Sequence, residues 1–257
     1  LQPGRHPHGE LRHRPVRLIE VDTVADPAAS GADPLSPRLN AGFEAELDQL
    51  RLQVEVMGVR VDQNLELMRE FLRTGRQGLA DQAVNADDDI DAMNLSLTGR
   101  CYDILARRSP VASDLRFVVS VIRVLGELER IGDLALRVVK VGPAWDVLVG
   151  SPATFDVLQS MADIAVGQFR LALSAWAGQD LLAATELAES VRVLDLAGEQ
   201  LTRELLRLEG PDAVPTAIHT LVVGKSLDRI ADHAAIIGSR LRYLITGDPE
   251  HLAAEIR

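Results

Sequence analysis

Two stretches of the chain nearly repeat one another: "ELERIGDLALRV" at 127–138 and "SLDRIADHAAII" at 226–237. Each carries an acid, an Arg, an Ile and a second acid four residues after the first, giving the pairs Glu129/Asp133 and Asp228/Asp232. Residues four apart share one helix face a turn apart, so each pair projects side by side and its like charges repel. The same rows contain Leu125, Leu136 and Ile236 and the small residues Gly132 and Ala231, which puts the carboxylates at the edge of an apolar stripe. Withdrawing an uncompensated carboxylate from water is costly, so this spacing calls for a cation. Arg130 and Arg229 follow the first acid of each pair, but sequence neighbours point about 100° apart on a helix, which aims each Arg at another helix or subunit.

Asp87 and Asp91, within "ADDDIDAM", repeat the four-residue spacing. Adjacent antiparallel helices can bring them opposite Glu129 and Asp133, and four carboxylates from two helices then form an oxygen-rich cage. Such a cage suits Mg, Ca, Mn or Fe better than Zn, which prefers nitrogen and sulfur. In the second half Val191 stands where Asp87 would be, while Asp195 and Glu199 restore an acid pair one turn later. His233, directly after Asp232, offers a nitrogen ligand or a group that supports one; the first half has Leu134 there. The plainer alternative is a set of solvated acids, those of "ADDDID" favouring the positive end of a helix dipole. Recurrence of the third-helix pair at matched positions favours carboxylate clusters with a cation role. In "PVASDLR", Ser113 or Asp114 reads as a helix cap, with Arg116 free to pair locally.

The elements that must position these acids are long helices. "FEAELDQLRLQVEVMGVRVDQNLELMREFL" places Phe43, Leu47, Leu50, Val54, Met57, Val61, Leu65, Met68 and Leu72 at steps of three and four, one face of a helix that starts near Arg38. "TGRQG" ends it, and a second helix runs from about Leu79 to Arg108, where Ser109 and Pro110 stop it. A third, carrying Glu129 and Asp133, is closed by Gly142 and Pro143. After "GPAWDVLVGSP" the plan restarts: Met57 matches Met161 and Asp91 matches Asp195 at an offset of 104, and Glu129 matches Asp228 at 99. The spacing predicts an all-α protein of two tandem three-helix bundles, residues 38–143 and 150–248, with a shorter connection between the second and third helices of the second bundle.

Composition is consistent with this. Hydrophobic residues make up 47% of the chain and aromatics only 4%, which favours packing by Leu, Val, Ile and Ala. A net charge of −11 argues against a nucleic-acid partner, since phosphate binding needs clustered Lys and Arg. The single cysteine, Cys101, makes no intrachain disulfide, and the reading is cytoplasmic. The apolar run "FVVSVIRVL" is interrupted by Arg123 and too short to span a bilayer. Residues 1–37 hold six of the twelve prolines and read as a disordered extension, neither secretory signal nor transit peptide. Three histidines there, His6, His8 and His13, read as incidental.

"RSPVASDLRFVVSVIRVLGELERIGDLA" together with "KSLDRIADHAAIIGSRLRYLITGD" resembles the two signature regions of the PhoU family, over roughly Arg38 to Asp248. The resemblance implies two pseudo-symmetric three-helix bundles whose acid pairs bind metal ions, sometimes as iron clusters. Carried onto this chain, it implies Asp87, Asp91, Glu129 and Asp133 in one cluster and Asp195, Asp228 and Asp232 in the other. The chain departs from the family pattern at Val191, at Asp228 and Ala231 in place of Glu and Gly, and at Arg137 and Ile236 in place of Asn. The implied role is regulatory: a cytoplasmic homodimer restraining the phosphate-starvation response, in contact with the ATPase of the phosphate ABC transporter and a phosphate-sensing histidine kinase, and touching the membrane only through the transporter. Nothing in the chain reads as an enzyme; it has no GxxxxGK[ST] phosphate loop and no nucleophile elbow. A ferritin-like di-metal enzyme would need Glu-x-x-His, and the residues three before His219, His233 and His251 are Thr216, Ile230 and Asp248. A metal-free scaffold binding basic partners is the other alternative.

Overall fold

The computed structural model describes residues 36–256. The expectation of a disordered extension therefore lies outside the described residues, except that Ser36 and Pro37 already belong to the first helix. Helices α1 (Ser36–Thr74), α2 (Gln77–Arg108) and α3 (Ala112–Val139) pack on one another, as do α5 (Pro152–Gly178), α6 (Leu181–Leu205) and α7 (Ala213–Thr246). Between the two sets lie a 3-10 turn at Gly142–Ala144 and the short α4 (Trp145–Val149), where the sequence had promised only a connector. A 3-10 segment, Pro249–Ile256, packs on α7. No strand occurs among the described residues.

The apolar row of α1 makes the first core: Leu50, Val54, Met57, Val61, Leu65, Met68 and Leu72 are all buried, and Phe43 is half-buried at its start. Each such side chain contributes on the order of 1.5–3 kcal/mol by leaving water. The chain reverses after α1 through Gly75, whose φ of +64° is open to glycine at little cost. A side chain there would also collide with the Trp145 ring, which is held by a hydrogen bond from its Nε1 to the Leu72 carbonyl at 3.1 Å.

Three local expectations need correction. α3 begins after Val111 in extended backbone with no side-chain cap, so neither Ser113 nor Asp114 caps it; Asp114 sits in its first turn. Arg116 lies beside Gly247 at the end of α7 instead of pairing locally. The residues missing from the second repeat come out of the helix and not the connection. α6 has 25 residues against 32 in α2, and the link to α7 is the longer one.

The two halves meet through equivalent helices. α1 and α5 lie antiparallel, because Arg170 bonds Asp62 and Glu66 while Arg69 reaches back to Asp163. α3 and α7 are antiparallel too: His233 meets Glu127, and further out Arg116 meets Gly247. Antiparallel contact between matched helices is what a twofold axis relating the repeats generates. The midpoint of the α3–α7 crossing falls on the repeated motif, at Ile131 and Ile230, both fully buried. The motif therefore serves two faces, Ile toward the other bundle and the acids toward their own.

Candidate metal centre

Asp87 is the buried member of the first cluster, 7% exposed between the apolar Ala83 and Ile90 of α2. It fits because α3 has no side chain opposite it: a Cβ on Gly132 would stand 3.0 Å from the Asp87 Oδ1. Asp91 and Asp133 are exposed and Glu129 half-buried. Burial, then the charges of Asp91, Asp133 and Glu129, push the Asp87 carboxyl up to about 6. Glu129 is raised by burial and by Asp133 and Asp91, with Arg130 acting against them. The structure thus brings together the four acids of the expected first cluster. Among the described residues none of the four is in an ion pair, and no three metal-ligating side chains stand close enough, as oriented, to hold an ion between them. The buried Asp87 carboxylate over Gly132 and the all-oxygen donor set match the chemistry of a hard cation.

The second set is built differently. Asp195 on α6 faces Asp228 on α7 across an open cleft of about 380 Å³, which Met161, Glu199 and Lys225 also line. The Asp232 carboxyl is raised by burial, then by Asp228 and Asp195, and held back by His233 and Arg229. Lys225 bonds Asp228 at 3.0 Å and Arg203 lies 3.7 Å from Glu199. Ala231 stands where the first repeat has Gly132, and Val191 where it has Asp87; the side chain of Val191 lies outside the described residues.

His233 does not turn toward the acids. Its Nδ1 lies 2.6 Å from the Glu127 Oε2 across the α3–α7 contact, and Arg130, expected to reach another helix, turns back on the same carboxylate at 2.9 Å. Glu127 is the residue that sequence reasoning missed. Its signal was an acid in register with Val124, Ile131 and Leu134, on the α3 face opposite Glu129.

The fold and the paired acids define an all-α repeat protein with carboxylates set between the last two helices of each bundle. The model of the PhoU domain matches the chain twice, over residues 54–141 and 158–241, and the chain belongs to this family. It is 30% identical over 221 residues to the phosphate-specific transport system accessory protein PhoU homolog of Pseudomonas putida, covering 85% of this chain and 86% of that one. Against the Escherichia coli accessory protein PhoU it is 27% identical, covering 86% and 92%. The crystal structure of PhoU from Pseudomonas aeruginosa superposes with a TM-score of 0.76 at 31% identity, over 80% of this chain and all, 100%, of that one. The phosphate transport system regulatory protein PhoU from Streptococcus pneumoniae gives 0.72 at 26% identity, over 80% and 98%. These relatives carry the names of accessory and regulatory proteins. Among the described residues no helix is long and apolar enough to cross a membrane.

The raised Asp87 carboxyl has a consequence for stability. The fold holds this proton more tightly than the unfolded chain does, so the associated stabilisation is complete below the ordinary Asp value of 3.8 and lost as pH rises through about 6. In metal-free protein, Asp87→Asn should gain in melting temperature relative to wild type as pH rises through that window. Parallel melting profiles for the two proteins would contradict the placement of Asp87.

Proposed function

We propose that this chain is a metal-binding accessory regulator of phosphate uptake and of the phosphate-starvation response, not an enzyme. It acts in the cytoplasm as a homodimer of two-repeat subunits, residues 38–143 and 150–248, by contact with the ATPase of the phosphate ABC transporter and a phosphate-sensing histidine kinase. The names of its relatives support the phosphate part of this reading. The metal part is carried by one observation: four carboxylates gathered between α2 and α3 with no cation paired to any of them among the described residues.

In this reading Asp87, Asp91, Glu129 and Asp133 hold the ion of the first site, and Asp195, Asp228 and Asp232 that of the second. The ion, Fe, Mn, Mg or Ca, supplies positive charge that offsets the mutual repulsion of the acids and cross-links two helices. Asp87 anchors the site from the buried side, while Asp91 and Asp133 at the exposed rim admit the ion from solvent. Gly132 keeps the wall thin enough for Asp87 to reach it.

Asp133→Asn tests the reading, because a metal site and a solvated acid pair give opposite signs. At a metal site the substitution lowers metal content and the melting temperature of the loaded protein, and leaves the metal-free protein unchanged or slightly more stable. Asp232→Asn has a smaller effect, since its cluster lacks the acid replaced by Val191. On a merely solvated face both substitutions relieve a repulsion worth about 0.2–0.5 kcal/mol and stabilise alike, which would favour the metal-free scaffold.

The partner reading follows from the family resemblance, and the net charge of −11 suits basic docking surfaces. Pull-down with the transporter ATPase should weaken as salt rises, since exposed charges are screened over about 8 Å at physiological ionic strength. No capture of either partner at low salt would point to a different circuit.

A further inference from the structure

The two repeats also differ in the cations that accompany their acid clusters. Lys225 precedes Asp228 by three residues on α7 and bonds its Oδ2 at 3.0 Å, within the cleft that Asp195 and Glu199 also line. By the correspondence that matches Asp228 to Glu129, the equivalent of Lys225 is Gly126. By the correspondence that matches Asp195 to Asp91, the equivalent of Arg203, which lies 3.7 Å from Glu199, is Gly99. Lys225 and Arg203 thus have glycine counterparts in the first repeat, while Arg229 is matched by Arg130. The space is there to be filled: a Cβ on Gly126 or on Gly99 would meet nothing within 4 Å.

We propose that the residue three before the first acid of the repeated motif decides whether that acid cluster takes an external ion: Lys225 is the built-in counter-ion of the second cluster, and Gly126 leaves the first cluster open. This rests on the metal reading of the first cluster and goes beyond it, since it assigns the two clusters different roles. An ammonium on Asp228 occupies a carboxylate oxygen that an ion would use and adds a positive charge that repels it. An ion enters the second cluster only by displacing Lys225. At the first cluster no cation is ion-paired to an acid among the described residues: Arg130 bonds Glu127 on the other face of α3, and Lys140 acts on Asp87 without an ion pair.

The test is a titration of the full chain with Mn²⁺ alone, free ion being read from its electron paramagnetic resonance signal. Wild type should show one strong class of site, absent in Asp133→Asn. Lys225→Met should gain a second class, or tighten a weak one by about fivefold, whereas Lys225→Arg, which keeps the charge, should behave as wild type. The reciprocal change is Gly126→Lys, which should weaken the first class by about fivefold relative to the helix control Gly126→Ala. Equal binding by Lys225→Met and Lys225→Arg, or by Gly126→Lys and Gly126→Ala, would overturn the proposal. Wild type with no site sensitive to Asp133→Asn would instead sink the metal reading of the first cluster, and the Lys225→Met and Lys225→Arg comparison would still decide the role of Lys225.

Discussion

The constraint on which the arrangement turns is the repulsion among carboxylates held at the edge of a packed helix interface. Burial between α2 and α3, and then the charges of Asp91, Asp133 and Glu129, push the Asp87 carboxyl up to about 6. A helix pair of this length has many ways to put acids in water, where such crowding would cost little. Here Gly132 removes the one side chain that would keep Asp87 away from α3. The cost of gathering the acids is built into the backbone contact and is relieved only by a proton or a cation.

The same motif also joins the halves of the molecule. Ile131 and Ile230 are buried where α3 and α7 cross, one step around the helix from acids that face α2 and α6. A short segment thus packs one bundle on the other and builds a charged cluster within its own bundle. The crossing is not symmetric in its chemistry. The buried Glu127 and the half-buried His233 form a pair on one side of it, and the matched residues on the other side are Ser226 and Leu134.

Much of this was legible in the residues. The step of three and four from Leu47 to Leu72, the stops at Gly75 and Pro110, and the offset between Asp91 and Asp195 gave the helices and their repetition, because each is a local property of the chain. The first acid cluster was legible for the same reason: two pairs at four-residue spacing on consecutive antiparallel helices have few ways to avoid one another. What was not legible depends on contacts between distant segments. Glu127 looked like one more acid in "GELERIGD", and only the crossing of α7 makes it the partner of His233, which the chain order alone had placed beside Asp232. The role of Gly126 against Lys225 likewise needed the acids located in space, since glycine within a helix otherwise reads only as a weak point.

In the proposed function the four acids between α2 and α3 form a cation site. The most direct measurement is the anomalous scattering of a crystal of the full chain grown without chelator and soaked in Mn²⁺. The strongest anomalous peak is expected among the carboxylates of Asp87, Asp91, Glu129 and Asp133, with a weaker one or none between Asp195 and Asp228. A map with no peak between α2 and α3, from crystals in which those four side chains are ordered, would contradict it.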